Sequence, residues 1–218
     1  MKKTIYNKYN KKAINNLPLV KFKGRVIVVI TPEEAEKAVT YLLSNSILGV
    51  DTETRPTFKK GESHKVSLLQ VATYDTCFLF RLNLTGLTPA ITRLLENKKV
   101  PMVGLSWHDD LLGLSKRGNF TPGKFIDLQN LVSDIGIEDL SLQKLYANLF
   151  NQKISKRARL SNWDAEVLTD KQKEYAAIDA WSCIQLYEEI NKLKRSGDFQ
   201  LIKVENDDEM LENNKTKK

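Results

Sequence analysis

The stretch Ile47-Leu48-Gly49-Val50-Asp51-Thr52-Glu53-Thr54, ILGVDTET, carries an apolar run straight into two carboxylates. Successive side chains on a strand point to opposite faces, so Asp51 and Glu53 share one face. Two like charges held that close repel each other, and burial raises the cost. The pattern predicts a strand, 47–53, whose C-terminal end needs something positive between its acids, and it asks the rest of the chain for further ligands.

Outward from this strand, 25–30 is rich in β-branched residues and reads as another. Thr31-Pro32-Glu33-Glu34 supplies an N-cap, a first-turn proline and a capping-box glutamate for a helix reaching about Asn45. Residues 55–64 contain Pro56 and Gly61 and read as a loop. The segments 66–72 and 77–82 flank the turn Thr73-Tyr74-Asp75-Thr76 as a hairpin, which continues 47–53 into an antiparallel meander. A helix opens at Leu87-Thr88-Pro89 and runs through Leu95; strands follow at 101–105 and 124–128, with a helix at 109–116 between them. Helices are expected at 129–136, 141–150 and from Thr169 to about Arg195, the last with Gln172 completing a second capping box. A meander followed by strand–helix alternation predicts a mixed sheet with helices on its faces, an α/β fold.

The chain has 218 residues, 41% of them hydrophobic, which suits one globular domain with a proper core. No apolar run approaches the ~20 residues needed to span a bilayer, and no apolar segment follows the basic N-terminus to make a signal peptide. Cys77 and Cys183 each lie inside an apolar segment and read as buried core residues; with no export signal they point to a reducing cytoplasm. No zinc-type Cys/His spacing is present. The net charge is +7, and Lys2, Lys3, Lys8, Lys11, Lys12, Lys21, Lys23 and Arg25 all precede the first acid, Glu33. Residues 1–24 thus read as a basic arm, either touching a phosphate backbone or solvated. Residues 198–218 read as a charged, flexible tail.

Two acids at i, i+2 are common at solvated strand ends, so further acids decide the matter. Asp109-Asp110 follows the strand 101–105 through Ser106-Trp107-His108. Leu111 and Leu114 place Asp110 at the start of an amphipathic helix on the strand's C-terminal edge, where functional groups gather in open α/β sheets. Asp179 stands among Ala176, Ala177, Ile178, Ala180 and Trp181, where an unpaired charge is costly; a lysine such as Lys173 on the polar face is the plain alternative. Tyr175 and Asp179 are i, i+4 and share a helix face. Asp51, Glu53, Asp110 and Asp179 can converge on one site. Oxygen-only ligation selects hard ions, Mg²⁺ or Mn²⁺. Two such ions about 4 Å apart suit phosphodiester hydrolysis, one activating water and the other steadying the leaving oxygen, with Asp51 as the natural bridge.

These residues resemble the DEDDy class of 3′–5′ exonucleases of the ribonuclease H-like superfamily, of the ribonuclease D and Werner-syndrome exonuclease type. ILGVDTET is similar to the first motif, and EYAAIDAW to the third, Tyr-x-x-x-Asp. VGLSWHDDLLGL is similar to the second, with a glycine six residues before the catalytic aspartate and a leucine four after it, which selects Asp110 over Asp109. VSLLQVAT (66–73), FIDL (125–128) and LSNWDAEVLTDKQKEYAAIDA (160–180) extend the resemblance over roughly residues 25–195. It implies an exonuclease domain at 25–197 built on a five-stranded sheet of order 3-2-1-4-5, counted from the strand 47–53, with strand 2 antiparallel and helices flanking. It implies that Asp51, Glu53, Asp110 and Asp179 hold two Mg²⁺ or Mn²⁺ ions and that Tyr175 orients the attacking water, with Glu53. The terminal phosphodiester of DNA or RNA would be cut to release nucleoside 5′-monophosphates.

The expected partner is a nucleic acid with a 3′ end, single-stranded or overhanging. The resemblance implies that Leu69 and Gln70 line the site; the plain alternative is a core strand. Lys153, Lys156, Arg157 and Arg159 form a basic run before the catalytic helix, with Arg157 and Arg159 as candidate phosphate contacts beside the alternative of a solvated face. Trp163 reads as a core aromatic, and His108 as non-catalytic. Thr54-Arg55-Pro56 stands where the Werner type carries a tryptophan, and neither a helicase nor the extra helical domains of ribonuclease D accompany these motifs, so the expectation is a nuclease that acts alone or with a separate helicase or repair or RNA-processing partner. A catalytically silent nucleic-acid-binding scaffold is the competing reading; a degenerate relative should lack an acid or the tyrosine, and all five residues are present.

Overall fold

A computed structural model of the chain describes residues 2–205. In order they form β1 (Lys3–Tyr6), α1 (Lys11–Ile14), β2 (Arg25–Val29), α2 (Pro32–Leu42), β3 (Leu48–Glu53), β4 (Leu68–Ala72), β5 (Thr76–Arg81), α3 (Leu82–Thr85), α4 (Pro89–Leu95), β6 (Met102–Gly104), α5 (Trp107–Ser115), β7 (Phe125–Asp127), α6 (Leu128–Val132), a 3-10 turn (Ser133–Ile135), α7 (Leu142–Phe150), α8 (Asp170–Ser196) and β8 (Phe199–Ile202). The larger of two compact units contains Lys21–Asp127 and Lys156–Ile184; the other contains, of the described residues, 2–20, 128–155 and 185–205.

The larger unit holds a mixed sheet of six strands in the order β2-β5-β4-β3-β6-β7. Only β4 runs antiparallel to its neighbours, so the sheet is mostly parallel. Five strands were expected. The sixth is the β-branched run Arg25–Val29, which pairs in parallel with the outer hairpin strand from Arg25↔Thr76 to Val29↔Phe80. It gives that strand's open edge a partner for its backbone groups.

Strand alternation separates the two faces of the sheet. Leu48, Val50, Leu69, Val71 and Phe80 pack into a core with α2, α4, Trp107 and Leu114. Leu68, Ala72 and Leu79 pack on the opposite face with Trp163, Tyr175, Ala176, Ala177 and Ala180. Both predicted capping boxes form. Glu34 N donates to Thr31 Oγ1 at 3.2 Å and Thr31 N to Glu34 Oε2 at 3.2 Å, while Gln172 N donates to Thr169 Oγ1 at 3.3 Å and Thr169 N to Gln172 Oε1 at 3.0 Å. The second box starts α8 beside the site.

In the smaller unit the expected basic arm is folded. β1 pairs in parallel with β8, from Lys3↔Phe199 to Tyr6↔Ile202. Asn148 of α7 accepts from Tyr6 N at 3.0 Å and donates to Tyr6 O at 2.7 Å, standing in for a neighbouring strand. Ile5, Tyr6, Tyr9 and Ile14 are buried. Two of the cations have internal partners: Lys3 pairs with Glu189 at 2.5 Å and Lys8 with Glu138 at 3.2 Å. Charge dominates the N-terminal sequence, but its interleaved apolar residues decide its fate. The expected tail likewise begins with a strand, β8; residues 206–218 lie outside the described residues. Among the described residues no helix is long and apolar enough to cross a membrane.

Candidate active site

Asp51 and Glu53 leave β3 on the face that α8 crosses. Gly49, two residues earlier on the same face, lies directly under α8: a Cβ there would stand 2.9 Å from Ile184 Cγ1, 3.0 Å from the Ala180 carbonyl carbon and closer still to the Ala180 oxygen. The missing side chain, together with Ala176, Ala177 and Ala180, lets the helix settle onto the sheet. That close approach carries Asp179 and Tyr175, both buried, to the two strand acids. One carboxylate oxygen each from Asp51, Glu53 and Asp179 lie within 4.8 Å of one another.

Asp110 arrives from α5. Thr52, between the two strand acids, donates its hydroxyl to Asp110 Oδ1. Asp109 and His108 of the same turn are exposed, so the structure turns Asp110 inward and leaves those two outside. The register of the second motif has a physical basis. Gly104 leaves room for the Trp107 indole, whose Nε1 a Cβ would overlap, and Leu114 is wholly buried. Ser106 adopts a left-handed backbone, φ 61°. Ser106 N donates to Asp127 Oδ1 at 3.0 Å and Trp107 N to Asp127 Oδ2 at 2.9 Å. A carboxylate accepting from backbone N–H groups at a helix start both caps it and suits its dipole. Asp127, the acid of FIDL, therefore holds the turn that presents Asp110.

The electrostatics follow from this crowding. Burial first, then the charges of Asp179, Asp110 and Glu53, push the Asp51 carboxyl well above the ordinary range. Glu53 is pushed up to about 9 by burial, with Asp179 and Asp110 adding and Arg159 opposing. Asp179 is pushed up to about 7 by burial, opposed by a hydrogen bond from the Tyr175 hydroxyl and by Lys156. Asp110 is pushed up to about 6 by burial, against the Thr52 hydrogen bond and with Asp109 and Asp127 adding. Burial, then Asp179 and Glu53, raise the Tyr175 phenol. Asp179 Oδ1 is buried without a hydrogen-bond partner. A buried, unpartnered carboxylate oxygen beside two further carboxylates is the donor set of a hard divalent cation, and the residues fit one.

The supporting residues divide. Gln70 pairs directly across from Asp51 in the β3–β4 register and is fully buried with both amide atoms unpartnered. Leu69 pairs with Thr52, points to the other face and is fully buried in the core with Val50 and Phe80; it packs the sheet instead of lining the site. Arg159, Arg157 and Lys156 are exposed on the loop before α8; Arg159 acts on Glu53 and Lys156 on Asp179. Trp163 is fully buried, donates to Arg159 O at 3.4 Å and lies 6.1 Å from the Tyr175 ring, so it ties the basic loop to α8. Both cysteines are buried and free.

Thr52, Gly49, Asp127 and Arg81 had no role in the sequence reading. Position marks the first two, between and before the strand acids, and FIDL marks the third. No local pattern marks Arg81, which is buried and donates to the carbonyls of Ala165 and Glu166 on the loop before α8.

Residues 26–194 match a family model described as 3′-5′ exonuclease. The chain is 26% identical over 189 residues to the mouse (Mus musculus) bifunctional 3′-5′ exonuclease/ATP-dependent helicase WRN, covering 82% of this chain and 14% of that protein. It is 28% identical over 195 residues to ribonuclease D of Haemophilus influenzae, covering 82% of this chain and 48% of that protein. The chain thus spans a fraction of each relative's length. The crystal structure of the Aedes aegypti Nibbler EXO domain superposes with a TM-score of 0.70 at 21% identity, covering 90% of this chain and 97% of that one. With acids of the first and third motifs within 4.8 Å of one another, Asp110 bonded to Thr52 of β3 and residues 26–194 matched, the chain belongs to the 3′-5′ exonuclease family.

Proposed function

We propose that this chain removes nucleotides from the 3′ end of a single-stranded or overhanging DNA or RNA by metal-dependent hydrolysis, releasing nucleoside 5′-monophosphates. The observation that carries the reading is the set of three carboxylates within 4.8 Å, one with a buried, unpartnered oxygen. Asp51, Glu53, Asp110 and Asp179 would hold two Mg²⁺ or Mn²⁺ ions. Bound there, such ions supply charge neutralisation on the phosphate and a water acidic enough to attack it near neutral pH.

The chain's own groups do the rest. Tyr175 is fixed by its bond to Asp179 and by packing near Trp163, and its hydroxyl would orient the attacking water together with Glu53. Burial of Asp179 and Gln70 keeps bulk water from the inner side of the site. Lys156, Arg157 and Arg159 sit exposed on the adjoining loop, where they would receive the terminal phosphate and steady its charge.

The test is digestion of a 5′-labelled single strand, as DNA and as RNA, with Mg²⁺ or Mn²⁺ against EDTA. The expected result is a ladder shortening from the 3′ end, abolished by EDTA and by Asp51→Ala, with the two strands ranked by rate. Binding without shortening of either strand would overturn catalysis and favour a scaffold.

A further inference from the structure

We propose that the groove bounded by Arg55, Phe58, Lys59, His64, Leu160 and Asn162 is a track for the unpaired bases that precede the 3′ terminus, with Phe58 as their stacking platform. This rests on the exonuclease reading of the neighbouring site and adds where the nucleotides before the terminus lie.

The groove has a volume of about 390 Å³. One wall is the loop leaving β3, where Arg55 stands two residues beyond the acid Glu53. The opposite wall is the segment beginning at Leu160, the residue after Arg159, whose charge acts on Glu53. A strand whose terminal phosphate meets the acids therefore has its preceding nucleotides beside both walls.

Phe58 is 82% exposed and Leu160 62% exposed. A phenyl ring left in water forgoes roughly 1.5–3 kcal/mol of burial, and folding alone does not explain its position. Base faces do: they stack on aromatic rings whatever the base, and an unpaired strand offers them where a duplex has already covered them. Arg55 and Lys59 supply backbone charge beside the ring, and Arg55 has no carboxylate partner among the described residues. Glu62, the acid in the lining, is held by Lys59 at 3.9 Å, an exposed pair that a phosphate displaces at little cost.

The test is fluorescence anisotropy with a 5′-labelled 8-nucleotide single strand and with a blunt duplex, both in EDTA so that nothing is cut. Phe58→Ala is expected to weaken single-strand binding about 5–160-fold, the range of one lost base stack, and to leave the duplex unchanged. Phe58→Trp is expected to restore it. Replacing both Arg55 and Lys59 by Ala should make the salt dependence of single-strand binding shallower by about 0.7 per lost phosphate contact. An unchanged single-strand affinity in Phe58→Ala overturns the proposal, as does an equal loss on the duplex. Hydrolysis of the p-nitrophenyl ester of thymidine 5′-monophosphate by the unaltered chain with Mn²⁺ reads the exonuclease assignment separately. Its absence would remove that assignment, while the binding comparison still decides the groove.

Discussion

Replacing Gly49 by Ala tests the link between a sheet glycine and the chemistry. The added Cβ would lie 3.0 Å from the Ala180 carbonyl carbon and 2.9 Å from Ile184 Cγ1, with the Ala180 oxygen nearer still. Carbon atoms rest about 3.5–4.0 Å apart, so α8 must retreat by roughly 0.5–1 Å or more. The backbone carbonyl cannot rotate away as a flexible side chain would, because it belongs to the helix ladder. Overpacking of this kind costs about 1–3 kcal/mol, which lowers the melting temperature by roughly 2–12 °C in a chain of this size. The effect on rate should be larger than on stability. Asp179 and Tyr175 ride on the displaced helix, and a misplacement of about 1 Å costs on the order of 100-fold. The assay is the rate of 3′ shortening of a labelled strand at saturating Mn²⁺, beside a thermal melt. Gly118→Ala is the control, because its Cβ would meet Leu87 Cδ1 at an ordinary 3.4 Å. A Gly49→Ala chain that melts near the unaltered temperature and cuts within threefold of its rate would refute the claim that this close approach positions the site.

Metal-free stability should fall as pH rises. Asp110, Asp179 and Glu53 are pushed up to about 6, 7 and 9, so the folded chain holds more protons than the unfolded chain above about pH 4, and the stability they contribute is lost through that window. Melting in EDTA should occur at lower temperature at pH 9 than at pH 5, with added Mg²⁺ stabilising more at pH 9; a midpoint that climbs with pH in EDTA counts against the crowded acids. Asp127→Ala removes the acceptor of Ser106 N and Trp107 N, and is expected to cost about 0.5–2 kcal/mol by denaturant titration along with activity, since Asp110 is on the same turn. Activity at the unaltered level would show that α5 holds Asp110 without this cap. Tyr175→Phe keeps the ring beside Trp163 and should stay within about 1.5 kcal/mol of the unaltered stability while losing on the order of 100-fold in rate; an unimpaired rate would show that the hydroxyl orients nothing.

Much of this molecule is written locally. Alternation in ILGVDTET places Asp51 and Glu53 on one face in any strand conformation, and β3 ends at Glu53 as the pattern requires. Thr31 with Glu34 and Thr169 with Gln172 start their helices by bonds within one turn, so they are legible without neighbours. The i, i+4 spacing of Tyr175 and Asp179 makes them partners on any helix.

What failed depended on distant partners. The first residues read as an arm because lysines dominate them, yet Tyr6 finds its hydrogen bonds on Asn148, 142 positions away. Leu69 and Gln70 are adjacent and equally buried, and only the register with β3 says which of them faces Asp51. The place of β2 beside β5 depends on which edge of the sheet stays open.

The sequence by itself determined the acids, their order and the faces they take, because periodicity and capping act over a few residues. The tertiary structure decided how those faces meet. Only the packing of α8 onto Gly49 brings Asp179 to β3, only the Thr52 hydroxyl and the turn held by Asp127 bring Asp110 to it, and only the folding of two separate loops sets the exposed Phe58 and Leu160 around one groove. Such contacts depend on distances across the fold, and a chain pattern carries no distances beyond its own turn or strand.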